Sequence, residues 1–191
     1  MQIKEIININ PSHLLEIGVG NGFVTSYLRK KGFKVTTCDI DEKLNPDKVG
    51  SVLSLPFQDN AFDLVICFQV LEHLPYKDFT KALSEIRRVA KNLVLLSLPD
   101  VERCFKFLFG RNNWTCLKKY IVFPRARKQE HSFDGEHYWE IGKVGYSLLK
   151  IYNDILHRRI KDRSAMWYYV AQGAAARGSR ELLYLPAAVD I

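Results

Sequence analysis

Apolar positions in the first hundred residues come in short blocks, and the spacing inside each block predicts an element. Leu14, Leu15 and Ile17 predict a strand near residues 13–17, buried on both faces as in a parallel sheet. It runs into Gly18, Gly20 and Gly22, where the backbone can turn sharply and a ligand can come close. A helix follows from Gly22 to Lys31, with Phe23, Val24, Tyr27 and Leu28 on its apolar side and Gly32 as its stop. Phe33 to Ile40 predicts a second strand, Ser51 to Leu55 a short third closed by Pro56, and Phe62 to Phe68 a fourth. Phe79, Ala82, Leu83, Ile86 and Val89 give residues 78–90 a helical period, and Asn92 to Leu98 predicts a fifth strand. Strands alternating with helices predict an α/β, doubly wound, mostly parallel sheet.

The pattern breaks at residue 100. Residues 100–142 are aromatic, basic and irregular, and are expected to form an inserted cap on one domain spanning 1–171. Val144, Leu148, Ile151 and Ile155 predict a helix over 143–156. Met166 to Ala171 predicts a last strand, expected as a C-terminal antiparallel edge paired with residues near 158–162. Residues 172–191 are linker-like and are expected to be an extension without chemistry of their own.

Composition narrows the partners. The net charge is +7, and residues 101–163 carry all of it, with 14 Lys/Arg against 7 Asp/Glu. That segment suits an acidic substrate or a nucleic acid, or is a solvated basic surface. No apolar run is long enough to span a membrane, and the first residues lack a signal peptide's pattern, so a cytoplasmic location is expected. Cys38, Cys67, Cys104 and Cys116 form no C-x-x-C pair, which argues against a disulfide framework or a zinc site.

The glycine loop predicts a nucleotide-like ligand. Its spacing departs from G-x-G-x-x-G, because the third glycine comes one residue early and position 23 is Phe. Glu16, just before the loop, would repel a pyrophosphate and suits a cationic ligand. Asp39, at the end of the second strand, can accept hydrogen bonds from both ribose hydroxyls. A ribose, an ammonium group and no phosphate describe S-adenosylmethionine (SAM).

Four ordered blocks carry a resemblance. Leu14 to Gly22 resembles motif I of the class I SAM-dependent methyltransferases, a Rossmann-like family, and Cys38-Asp39-Ile40-Asp41 resembles the acidic end of their second strand. Leu55 to Val65 resembles the LPF-x-DN-x-FD-x-V block of members acting on small molecules, lipids and quinones. Val70-Leu71-Glu72-His73-Leu74 resembles the VLEHL that follows their fourth strand. The resemblance implies SAM as cofactor and methyl transfer to an acceptor, a small molecule in that subgroup.

It also implies residue roles. Glu16, Gly18, Gly20, Asn21 and Gly22 would line the methionine and ribose portions. Asp39 would hold the ribose hydroxyls, Ile40 would pack on adenine, backbone groups at Val52 or Leu53 would read the adenine edge, and Gln69 would lie near the methionine. Ser51 stands where many members have Asp. His73 is the candidate general base, with His131 and His137 as other proton acceptors. His131, His137, Tyr138 and Trp139 are expected to close over the substrate. His131, Asp134, His137 and Glu140 have ligand chemistry at steps of three, but Gly135 argues against one helix, and no metal is expected. The alternative is a noncatalytic module that uses residues 100–142 as a partner or nucleic-acid surface.

Overall fold

The computed structural model describes residues 2–100, 103–109, 117–123, 130–157, 166–173 and 183–184. The helices are α1 (Gln2–Ile9), α2 (Phe23–Lys30), α3 (Tyr76–Val89) and α4 (Leu148–His157). The strands are β1 (Leu14–Ile17), β2 (Val35–Asp39), β3 (Lys48–Val49), β4 (Phe62–Phe68), β5 (Ala90–Asp100), β6 (Arg103–Phe109), β7 (Leu117–Phe123), β8 (Met166–Gly173) and β9 (Leu183–Tyr184). One sheet has the order β3-β2-β1-β4-β5-β8-β9, and β6 pairs with β7 in a separate antiparallel ribbon. The chain winds outward from β1 to β3, then returns to place β4 on the other side of β1. In open α/β sheets ligands bind at such a reversal, beyond the carboxyl ends of the strands.

Side chains alternate across the sheet, so each strand feeds two cores. Leu15, Ile17, Val65, Cys67, Val94 and Leu96 face α3 and α4, where they meet Phe79, Leu83, Ile86, Trp139, Ile151 and Ile155. Leu14, Leu64, Ile66 and Leu95 face the other way, toward Ile6 of α1 and Leu28 of α2. The near-continuous apolar runs of β4 and β5 follow from burial on both faces.

The structure departs from the expected elements at four places. Ser51 to Leu55 is a turn and not the third strand, which is Lys48–Val49. Ser54 N–H bonds back to the Ser51 carbonyl (2.9 Å), and Val52 and Leu55, three residues apart, are the two that enter the core. On α2 the buried pair is Thr25 and Leu28, while Phe23 is 61% exposed. Residues 100–142 contain a regular element, the β6–β7 ribbon. β8 lies parallel to β5 (Leu93 opposite Met166), so it is not the antiparallel edge; β9 is antiparallel to β8 through two residue pairs. The expected pairing partner near 158–162 and most of the expected extension lie outside the described residues.

Arg88 ties the end of α3 to the loop before β4. Its Nη1 donates to the Phe57 carbonyl (2.7 Å) and Asp59 Oδ1 (2.9 Å), and its Nη2 to the Leu55 carbonyl (2.9 Å) and Glu85 Oε2 (2.8 Å). Glu85 Oε2 in turn accepts the Leu55 N–H at 2.9 Å. A lysine has no planar fork to serve these acceptors together. Arg88→Lys is expected to lower unfolding free energy by about 1–3 kcal/mol in urea denaturation; an unchanged midpoint and slope would show that the fork carries no stability.

Candidate functional site

β1, β2 and β4 end level with one another, Ile17 standing opposite both Cys38 and Cys67. A cavity of about 420 Å³ opens there. Of the residues singled out from the sequence, Gly18, Gly20, Asp39, Ile40, Val52, Gln69 and His73 line it.

The first wall is the glycine loop. Gly18 has φ +83°, and a Cβ placed on it would sit 2.3 Å from Val70 Cγ2, so only glycine allows this turn to touch the one after β4. Gly18 N–H donates to the Cys38 carbonyl (2.9 Å) and Val19 N–H to Asp39 Oδ2 (2.7 Å). Asp39 Oδ1 accepts the Asp41 N–H at 3.0 Å. Two backbone donors therefore aim the carboxylate, and each oxygen keeps a lone pair for a ligand. Ile40, 74% exposed, stands beside it with Leu44 and Val52 as an apolar slab. None of the described side chains lining the cavity is Lys or Arg. The site thus offers an apolar surface for a flat ring, one carboxylate for hydroxyls and no cation for a phosphate. Those residues fit SAM better than a dinucleotide.

Glu16, Asn21, Gly22 and Leu53 stand outside the cavity wall. Asn21 Oδ1 accepts the Phe23 N–H (3.1 Å), which shapes the start of α2. Leu53 packs on the core, and its N–H meets Ser51 Oγ at 3.2 Å, so the serine hydroxyl is used within its own turn. Glu16 lies beneath the loop, 4% exposed, and accepts a hydrogen bond from the Thr25 hydroxyl. Burial pushes its carboxyl up to about 7, against the pull of that bond and of Arg29.

The second wall follows β4. Gln69 has φ +55°, and its N–H donates to the Ser97 carbonyl at 3.0 Å. Its amide lies 2.9 Å from Ser97 Oγ. In the orientation that satisfies both ends, the amide oxygen accepts from Ser97 Oγ and Leu98 N–H (3.3 Å) and the nitrogen donates to Glu72 Oε1 (3.2 Å). Glu72 is fully buried, and burial raises its carboxyl to about 7. The sequence reading gave Glu72 no role, although a carboxylate inside the apolar run Val70-Leu71-x-x-Leu74 was a signal for one.

The expected substrate-closing residues do not line the cavity. Trp139 is a fully buried core residue, edge-on to Tyr76 and Phe79, with Nε1 donating to the Leu74 carbonyl (3.1 Å). Its size and a matching acceptor explain why it went inside. Tyr138 is 42% exposed beside Phe133. His131 Nε2 is 2.8 Å from the His137 carbonyl, and its Nδ1 is 3.7 Å from Glu140. Asp134 Oδ1 accepts the N–H groups of Glu136 (3.0 Å) and His137 (2.7 Å), and Gly135 has φ +100°. The three-residue spacing therefore lies on a turn and not on a helix. That turn sets His137 against His73, ring centroids 5.1 Å apart.

The raised carboxyl of Glu16 fixes the sign of a pH dependence. Its contribution to stability is complete below its ordinary value of 4.5 and is lost as pH rises through about 7. Between pH 5 and pH 8, Glu16→Gln is expected to gain about 1–3 kcal/mol relative to the parent chain in urea denaturation. An equal difference at both pH values would mean that Glu16 is not buried as an acid.

Residues 15–98 match the family described as "Methyltransferase domain". An uncharacterised protein of Methanocaldococcus jannaschii is 42% identical over 90 residues, 44% of this chain and 39% of that one. The ubiquinone biosynthesis O-methyltransferase of Coxiella burnetii is 24% identical over 148 residues, 69% of this chain and 59% of that one. This chain therefore spans less than two thirds of the length of either. A solved SAM-dependent methyltransferase from Archaeoglobus fulgidus matches with a TM-score of 0.39 and 20% identity over 48% of each chain. Over residues 15–98, less than half of its length, the chain is similar to the methyltransferase domain.

Proposed function

We propose that the chain transfers the methyl group of SAM to a small-molecule acceptor at the His73 side of the cavity. The observation that carries this reading is the cavity itself, with an aimed carboxylate at Asp39, an apolar slab at Ile40 and Val52, and no lining cation. The likeness to an enzyme named for ubiquinone biosynthesis supports a small-molecule acceptor.

Asp39 receives the ribose hydroxyls, and Ile40 and Val52 flank the adenine, whose edge meets the backbone at Val52. Gly18, Gly20, Asn21 and Gly22 hold the loop over the methionine portion, with Glu16 setting its charge from beneath. Gln69, locked by Ser97, bounds the methionine side. When bound, SAM supplies an electrophilic methyl carbon on a cationic sulfur. The protein then has two tasks, to align the acceptor and to manage its proton. His73 stands at that position. Its Nδ1 is 2.9 Å from the Glu136 carbonyl, which only accepts, so the proton is on Nδ1 and the lone pair on Nε2.

Asp39→Ala is expected to weaken S-adenosylhomocysteine binding at least 10-fold in calorimetry, because two hydroxyl contacts and the Val19 anchor go together. Unchanged affinity would reject the ribose assignment. Incubating the intact chain with methyl-labelled SAM and a panel of small hydroxyl and amine acceptors tests the activity; cofactor binding with no transfer to any of them would count against catalysis.

A further inference from the structure

Beside His73, which lines the cavity, stand polar atoms that cofactor binding leaves unused. One donor atom each from Glu72, His73 and His137 lie within 4.8 Å of one another. Glu72 and His73 come from the turn after β4, and His137 from the segment that crosses it, clamped by the Tyr138 N–H on the Glu72 carbonyl (2.8 Å). Glu72 Oε2 is buried without a hydrogen-bond partner, while Oε1 is held by Gln69. His137 Nδ1 is likewise buried without a hydrogen-bond partner, 3.4 Å from Glu140 Oε1. Folded proteins rarely leave such atoms unsatisfied, and here two of them belong to the same cluster.

We propose that Glu72, His73 and His137 bind a divalent first-row transition-metal ion. Two imidazoles and one carboxylate form a donor set that such ions favour, and three protein ligands leave positions open for substrate. His73 already has an orienting partner of the kind metal-binding histidines use, the Glu136 carbonyl on its Nδ1 (2.9 Å), which leaves Nε2 for the ion. Donors around one ion stand about 3–4 Å apart, so small side-chain rotations close the site.

His73 lines the cavity, so the ion's open positions face the acceptor. The use of the ion rests on the methyl-transfer reading; its binding does not. A small-molecule hydroxyl coordinated there loses its proton to water more readily. The oxygen's electron pair then forms the new O–CH3 bond as the C–S pair returns to sulfur, leaving a neutral thioether. His73 thus acts on the acceptor's proton through the ion, and the acceptor atom is oxygen.

The test titrates the full chain, stripped with EDTA, with Zn2+, Mn2+ and Co2+ separately by calorimetry, with Co2+ also followed by visible absorption. The expected result is one ion per chain for at least one metal. Binding should weaken about 10- to 100-fold in His137→Ala and in Glu72→Gln, while S-adenosylhomocysteine affinity in His137→Ala stays within about threefold of the parent. Thermal melts verify that both variants fold, and His137→Ala, on a surface turn, carries the test should Glu72→Gln not fold. The proposal is overturned if no ion binds a chain that binds S-adenosylhomocysteine, or if both variants bind ions as the parent does. Ion binding without S-adenosylhomocysteine binding would instead sustain the site and sink the methyl-transfer reading.

Discussion

The architecture of the site depends on one close approach. Val70 Cγ2 occupies the space that a Cβ on Gly18 would need, 2.3 Å from it. The loop after β1 and the turn after β4 can share that space only if residue 18 has no side chain. With Gly18 at φ +83°, the loop folds back over the strand ends, and the cavity forms between the two turns. The same approach forces the chain leaving β4 to bend at once. Gln69 takes up that bend in the left-handed region, a conformation costing about 1 kcal/mol for a residue with a side chain. Its N–H to the Ser97 carbonyl and its amide contacts with Ser97 compensate. The bend then delivers Leu71 into the core and His73 to the cavity.

A second constraint acts from residues far along the chain. The segment 136–141 is stapled across the turn at Leu71–His73 by backbone and side-chain bonds together. Tyr138 N–H meets the Glu72 carbonyl, Trp139 Nε1 meets the Leu74 carbonyl, the Glu136 carbonyl meets His73, and Ile141 N–H meets the Pro99 carbonyl. Trp139 is the anchor. It fills the space between Tyr76, Phe79 and Tyr146, and its burial holds the neighbouring polar residues in register beside the Leu71–His73 turn. An aromatic core residue two positions along the chain thus helps to position His137 against His73.

These two constraints explain what the sequence revealed. The apolar blocks at 14–17, 62–68 and 92–98 were legible because parallel strands buried on both faces read as unbroken hydrophobic runs. The end of β2 at Asp39 was legible because a polar residue follows a β-branched run there. Ser51 to Leu55 misled because apolar spacing alone does not separate a strand from a turn that buries Val52 and Leu55. Thr25 was hidden for a related reason: a hydroxyl counts as polar, yet it goes inside to meet the buried carboxylate of Glu16. β8 was placed wrongly because pairing direction depends on the crossover, which strand composition does not encode. Trp139 looked like a substrate contact because aromatic residues serve cores and binding surfaces alike, and only its contacts separate the two.

The glycine-loop side of the cavity and the His73 side differ in how far apart their residues lie in sequence. The glycine-loop side is assembled from strand ends and the turns that follow them, so its residues fall in contiguous blocks with characteristic spacing. Near His73, Glu72 and His73 meet a turn near residue 137, and no local pattern links the two. His131, Asp134, His137 and Glu140 attract attention as a run of ligands, yet Gly135 and the Asp134 turn divide them. Asp134 caps backbone, His131 holds a carbonyl, and His137 alone crosses to His73. Ligand geometry is a property of three-dimensional neighbours, and here the informative neighbours are a buried carboxylate and a histidine that the chain brings back from more than sixty residues away. A residue's spacing within its own segment therefore says less about its chemistry at this site than the segment's path across the sheet.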